Sequence, residues 1–270
     1  MSAPSSPLLA NKSFAAPSVF QPENLLREAR RQKGLPEGSV PAICLLDPDG
    51  DIVRRLKAEG RSRVSEVWAC YHTELHVFDL HGTSIGVVGC VVGAPFAVLV
   101  AEQLFASGCE FLVSITSAGQ IAPLGPTPYF VMIAKSLRDE GTSHHYAAPA
   151  DFAAADPALL ARIGPYLAGL LEPIHEGATW TTDAPYRETV DAIEARKGEG
   201  IAAVEMEAAA LYAFATARAR PVLCFAHVTN QMAQAEGDFE KGEADGTSDA
   251  LALLASVVRG WSETSRGVPR

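Results

Sequence analysis

Short apolar runs alternate with segments in which apolar residues recur every three or four positions, from about residue 41 almost to the C-terminus. The runs at 41–46, 84–92, 111–115, 129–134, 177–182, 201–204 and 221–228 are predicted strands, and those without polar breaks are expected to be buried on both faces. Residues 64–80 alternate and predict two more strands. Pro22 opens a short amphipathic helix with Leu25, Leu26 and Ala29 on one side. A second helix follows Asp51 with Ile52, Val53 and Leu56 inward, and others are predicted over 96–106, 157–171, 186–197 and 206–218. Ser248 caps a last one, whose stripe is Leu251, Leu254, Val258 and Trp261. Strand–helix alternation predicts the α/β class, with a mostly parallel sheet covered on both faces. Residues 1–20 read as a flexible N-terminal segment, and residues 21–270 as a single domain without repeats or linker.

Composition narrows the class of partner. The 270 residues suit one sizeable core, and 48% hydrophobic with 20% charged residues is a globular balance. A net charge of −10 argues against a nucleic-acid footprint, which needs a basic face, yet leaves room for a small anion in a locally positive pocket. The cysteines Cys44, Cys70, Cys90, Cys109 and Cys224 are odd in number and form no CxxC pair, which predicts free thiols in a reducing cytoplasm. Cys and His show no zinc-ligand spacing, so no metal is expected. No apolar run approaches the roughly 20 residues that span a bilayer, so no membrane partner is expected. The N-terminus has neither the basic start nor the apolar core of a secretory signal.

Polar clusters stand just after several strands: Thr116-Ser117-Ala118-Gly119, Thr182-Asp183, Glu205-Met206-Glu207 and Thr229-Asn230, with Gly93 closing the strand at 84–92. In open α/β sheets ligands bind beyond the carboxyl ends of strands, so these clusters are candidates for one pocket. Glu205 and Glu207, two apart at a strand–helix junction, are expected on opposite sides. One carboxylate can then accept from both hydroxyls of a ribose diol, with Met206 as an adaptable apolar wall. The plainer alternative is that both acids only favour a helix N-terminus. The stretch Arg138 to Tyr146 is dense in polar groups, and Tyr146 is suited to stacking on a base, although a solvated loop has the same composition. His227, inside an apolar strand, reads as a core histidine.

Together these segments, with Thr181-Thr182-Asp183-Ala184-Pro185-Tyr186-Arg187-Glu188-Thr189, resemble the nucleoside phosphorylase superfamily, in the branch of uridine phosphorylase and hexameric purine nucleoside phosphorylase. The resemblance implies a three-layer α/β/α fold around a central mixed sheet that curls into a partial barrel. It implies a dimer, trimer or hexamer acting on a small-molecule nucleoside, with phosphate as co-substrate and no cofactor. Met206 and Glu207 would hold the ribose, with Glu205, Ser117, Gly119 and Gly93 beside them. Tyr146 would stack on the base, with Arg138, Asp183 and Arg187 near it. Asn230 falls where purine-specific relatives carry the acid that protonates the leaving base. The chain departs from the family at its phosphate loop. Leu46-Asp47-Pro48-Asp49-Gly50 stands for Gly-Asp-Pro-x-Arg, and the other two phosphate arginines align near Tyr71 and Ser114, leaving Arg54, Arg55 or Arg138 as substitutes. Three outcomes remain open: phosphorolysis, hydrolysis with Asp51 activating water as a glutamate does in the family's hydrolases, and nucleoside binding without catalysis.

Overall fold

The computed structural model describes residues 6–230 and 246–265, with side chains described for 6–229 and 246–263. In chain order the elements are α1 (Pro22–Lys33), β1 (Ile43–Asp47), α2 (Asp51–Ala58), β2 (Ser62–Val64), β3 (His76–Leu80), β4 (Thr83–Gly89), α3 (Ala94–Ala106), β5 (Phe111–Gln120), β6 (Tyr129–Asp139), β7 (Phe152–Ala154), α4 (Pro157–Ile163), β8 (Ile174–Thr182), α5 (Val190–Gly198), β9 (Ile201–Glu205), α6 (Ala208–Arg218), β10 (Val222–Asn230) and α7 (Thr247–Ser265). Single 3-10 turns lie at Thr142–His145, Gly164–Leu167 and Pro185–Arg187.

The strands form one mixed sheet in the order β10-β6-β8-β9-β5-β1-β4-β3-β2, with β7 on β6. β10 also pairs with β5, so β5, β10, β6, β8 and β9 close a ring, and β1, β4, β3 and β2 extend from it as an open wing. The predicted parallel sheet is half right. β1–β4, β1–β5, β5–β10, β6–β8 and β8–β9 are parallel, but β2–β3, β3–β4, β5–β9, β6–β7 and β6–β10 are antiparallel. Strand–helix alternation is blind to pairings that close a ring.

Period-two strands send alternate residues to two cores. Cys44, Leu46, Val131, Ile133, Cys224 and Ala226 face α3 and α6. Ile43, Leu45, Phe130, Met132, Leu223 and Phe225 face α2, α4 and α7. With both faces covered, the expected three layers are present. Trp261 lies on the inward stripe of α7, its ring stacked on Phe111 at 4.4 Å. Residues 208–214 of α6 are all buried, as befits a helix apolar all round. No described helix is long and apolar enough to cross a membrane.

Among the predicted boundaries that move, two do so for a tertiary reason and one for a local cap. β5 does not stop at Ile115: its continuation pairs with β10 and then β9, Gly119 opposing Val204, and this extension closes the ring. β6 runs on to Asp139 against β8, which puts Arg138 on a strand. The helix expected from Tyr186 starts at Val190, because the Thr189 hydroxyl accepts the Ala192 N–H as its cap. Residues 65–75 lie between β2 and β3 outside any strand, and β7 had no sequence signal.

A buried phenol fastens α6 to the ring. The Tyr212 hydroxyl donates to the Ile133 carbonyl at 2.6 Å and accepts from the Cys224 N–H at 3.1 Å. Tyr212→Phe leaves both backbone groups without this partner, and equilibrium denaturant unfolding is expected to show a loss of about 1–3 kcal/mol.

Candidate active site

Beyond the carboxyl ends of β1, β5, β8 and β9 lies an open cleft of about 410 Å³. Its walls are Pro48 and Asp49 after β1, Val92 after β4, Thr116 to Gly119 of β5, the turn residues Pro185, Tyr186 and Glu188 after β8, and Val204 to Glu207 at the β9–α6 junction. Among these lining residues there is no Lys, Arg or His.

The junction is organised by Glu205, which is fully buried. Its Oε1 is surrounded by the hydroxyls of Ser136 (3.2 Å), Thr179 (3.2 Å) and Thr181 (2.5 Å). Its Oε2 accepts the N–H groups of Glu207 and Ala208, each at 2.7 Å. Burial pushes its pKa upward, and these hydrogen bonds pull against the shift. Glu205 is thus the side-chain cap of α6, satisfying orphan N–H groups of its first turn. With both oxygens engaged it is a positioning group, in place of the substrate contact expected from the sequence.

Glu207 sits at the N-cap of α6 and is also buried. Its Oε1 accepts the Gly93 N–H at 2.7 Å. Its Oε2 makes no hydrogen bond within normal geometry, although the Thr116 hydroxyl is close enough to favour the ionised form. Burial first, and the Glu205 charge second, hold this carboxyl well above the ordinary carboxylate range. Gly93, at φ 93°, has the left-handed backbone that lets its N–H face Glu207; it holds the acid, where the sequence suggested direct contact with substrate. Met206 lines the cleft beside it.

The altered loop after β1 is acidic. Buried Asp47 accepts from the N–H groups of Gly50 and Val53 at 3.2 and 2.9 Å, which shapes the turn into α2. Burial, with the neighbouring Asp49 and Asp51 charges, pushes its carboxyl up to about 7. Asp49 reaches β5: its two oxygens accept the Ser117 N–H and the Ser117 hydroxyl, both at 2.9 Å. Gly50, where the family carries an arginine, has φ 77°, and a Cβ there would stand 2.6 Å from the Cys90 sulfur. A side chain at this position is strained at that φ and must displace the Cys90 sulfur and the end of Arg54.

Several expected residues lie elsewhere. The Arg138 guanidinium is tied to the Ser143 hydroxyl, the Ala147, Ala148 and Ala150 carbonyls and His144, so it pins its own loop and does not line the cleft. The Tyr146 hydroxyl bonds Glu102 on α3 at 3.0 Å and its ring meets Phe214 edge-on, away from the cleft. Asp183 accepts from the Gly141 N–H, and exposed Arg187 is likewise not a lining residue. Asp51 opens α2 in an ion pair with Arg54 and borders a smaller side pocket with Asp47 and His227. Asn230 ends β10 beside Gly119, and its side chain lies outside the described residues. The candidate phosphate cations are also committed: Arg54 to Asp51 and the Asp49 carbonyl, Arg55 to Thr247, Ser248 and Glu59. His227 Nε2 lies 2.9 Å from a Glu172 carboxylate oxygen, outside hydrogen-bond geometry, and the ring stacks on Phe130, as that of a core histidine would.

The brought-together set is Ser117, Gly119, Glu205, Met206 and Glu207, with Gly93 behind Glu207. Thr116 lines the cleft with the rest of its expected cluster, whereas Asp49, Tyr186 and Glu188 were given no role in the sequence reading. Asp-Pro-Asp-Gly is turn chemistry that carries residue 49 beyond the strand end. Thr189 as an N-cap was the signal that frees residues 185–188 from the helix.

A profile described as the phosphorylase superfamily matches residues 42–259. The chain belongs to this superfamily. Relatives include a uridine phosphorylase of Thermococcus kodakarensis, 26% identical over 246 residues, covering 79% of this chain and 85% of that protein. A DeoD-type purine nucleoside phosphorylase of Colwellia psychrerythraea is 28% identical over 179 residues, 66% of this chain and 76% of that one. An uncharacterised protein of Acanthamoeba polyphaga mimivirus is 31% identical over 146 residues, which span 52% of this chain and only 56% of that protein. The fold matches the crystal structure of a Vibrio fischeri uridine phosphorylase with a TM-score of 0.67 at 21% identity, over 81% of this chain and 90% of that one. The nucleoside phosphorylase fold expected from the sequence is the fold observed.

Asp47 and Glu207 each hold their proton more tightly in the folded chain than in the unfolded one. The stability they contribute is therefore full below the unfolded carboxylate range and is lost as pH rises through the raised folded values. The thermal midpoint of the ligand-free protein is expected to fall between about pH 5 and about pH 8. In Asp47→Asn the fall should be shallower; equal slopes in a thermal-shift series would contradict the assignment.

Proposed function

We propose that this protein cleaves the N-glycosidic bond of a nucleoside, holding the ribose between Glu207 and Met206. The observation that carries the reading is the state of Glu207. One oxygen is fixed by the Gly93 N–H while the other has no settled hydrogen bond, at the edge of a cleft lined by Met206. A carboxyl group so held is prepared to accept from a vicinal diol, whose donated hydrogen bonds favour the ionised form that burial disfavours in the free protein, and the fixed geometry lowers the cost of ordering it on binding. The uridine and purine nucleoside phosphorylases among the relatives support a nucleoside as the partner. Tyr186, almost fully exposed on the cleft rim, supplies the aromatic face for the base in place of Tyr146. The reaction needs a nucleophile and no cofactor. Exposed Val92 and Leu99, at and near the apolar helix α3, favour work as a homo-oligomer, and the free thiols favour the cytoplasm.

A second reading, with water as the nucleophile, is favoured by one specific observation. The Ser117 N–H and hydroxyl are both taken by the Asp49 carboxylate, and no cation is among the described lining residues. A phosphate dianion would meet that negative group without a counter-charge, whereas water can give Asp49 its proton.

Both readings are tested by following free base from a nucleoside panel with and without phosphate. Hydrolysis predicts base and free ribose in phosphate-free buffer. Strict phosphate dependence with ribose 1-phosphate as product would sink hydrolysis and keep cleavage; no release in either buffer would sink cleavage. Glu207→Gln is expected to weaken ribonucleoside binding by about 10- to 100-fold, the worth of hydrogen bonds to a charged group. The 2′,3′-dideoxynucleoside should be affected far less in the same calorimetric titration.

A further inference from the structure

Cleavage leaves the bonding electron pair on the base, so a proton donor at the base end accelerates departure. The strand order fixes where that end lies. β1, β5, β9 and β8 are neighbours in that sequence across the sheet. Asp49 follows β1, Ser117 to Gly119 belong to β5, Met206 and Glu207 follow β9, and Pro185, Tyr186 and Glu188 follow β8, and all of them line the one cleft. The sugar groups therefore have Asp49 on one flank and the Tyr186–Glu188 turn on the other. Displacement at the anomeric carbon needs that arrangement, with the incoming and leaving groups on opposite sides.

We propose that Glu188 is the acid that protonates the departing base, a role that rests on the nucleoside-cleavage reading above. The other cleft acids have other work: Glu205 is bound to α6 and the threonines of β8, Glu207 is held by Gly93 with its second oxygen assigned to the ribose, and Asp49 is bound to Ser117. The Glu188 carboxyl makes no hydrogen bond or ion pair with the described residues, and its turn is held by backbone hydrogen bonds from Arg187 to Ala184 and from Glu188 to Pro185. It is half-buried, and this burial alone pushes its carboxyl up to about 7, so a sizeable fraction carries a proton near neutrality. It stands two positions from exposed Tyr186, the aromatic face offered to the base. The acid expected at the end of β10 in purine-specific relatives is Asn230 in this chain, which has no acidic proton to give. In the step, the bond from the anomeric carbon to the base nitrogen breaks and its electron pair goes to the base. The Glu188 proton moves to the base, and an oxygen of water or phosphate bonds the anomeric carbon. The proton lost by that nucleophile passes to Asp49 when water attacks, or to solvent when phosphate does; Asp49 releases it to solvent, from which Glu188 is recharged.

The test compares wild type and Glu188→Gln, an isosteric change in a half-exposed turn, on two substrates of one nucleoside. One carries the natural base and the other a base that leaves without protonation, the 7-methyl derivative for a purine or the 5-fluoro derivative for a pyrimidine. Glu188→Gln is expected to lose about 100-fold or more in kcat on the natural nucleoside and less than about fivefold on the activated one. Equal losses on both, or no loss on either, would overturn the role of Glu188 and leave the cleavage reading standing. Absence of base release from either substrate by the wild type would overturn the cleavage reading, and this role with it. Circular dichroism of the variant, unchanged from wild type, ties a selective loss to chemistry.

Discussion

The buried carboxylate of Glu205 is the constraint on which the site depends. It joins three elements that are far apart in the chain: hydroxyls from β6 and β8 crowd one oxygen, and the first amides of α6 approach the other. The Thr181 hydroxyl also accepts the Ala209 N–H, so the same cluster satisfies a further helix-terminal donor. An ionised group in the core costs free energy unless its hydrogen bonds are complete, and here they nearly are. Two residues on, the chain is left with one direction for Glu207, towards Gly93 and the cleft.

The loop after β1 adds a negative arm to a cleft that Glu188, Glu205 and Glu207 also line. Asp47 fixes the turn after β1, Gly50 supplies its left-handed residue, and Asp49 is delivered onto Ser117. A stretch that resembles a phosphate-binding loop in sequence has become a negative arm that occupies a backbone amide. The nearest cations do not offset it, since Arg54 and Arg55 are drawn into partners of their own. On the reading proposed above, the same fold presents a sugar site with a different nucleophile, because Glu207 follows β9 and Asp49 follows β1.

Ring closure links these two parts. The last residues of β5 pair with β10 on one side and β9 on the other, so Ser117 and Gly119 are strand residues in place of a loop. Their backbone direction is fixed by the ladder, which is what allows Ser117 to offer both its N–H and its hydroxyl to one carboxylate. Strand ends held this rigidly are a better base for a binding site than free loops.

The sequence by itself determined the class of fold, the two buried faces of the strands and the placing of an acid–methionine–acid run at a strand–helix junction, because these follow from local periodicity and from residue types. It also showed that the phosphate loop is altered, since Leu46 and Gly50 can be read directly. Tertiary structure alone decided which acid does what. Glu205 and Glu207 are equivalent in sequence, and only the threonines of β8 and the amide of Gly93 distinguish them. Arg138 and Tyr146 looked like ligand groups, but their partners Ala148 and Glu102 are set by packing that no short-range pattern encodes. Asp49 and Glu188 lay in turns whose direction depends on Gly50 and on the Thr189 cap, and their meeting across one cleft depends on the spatial order of β1, β5, β9 and β8, a long-range pairing that periodicity along the chain does not contain.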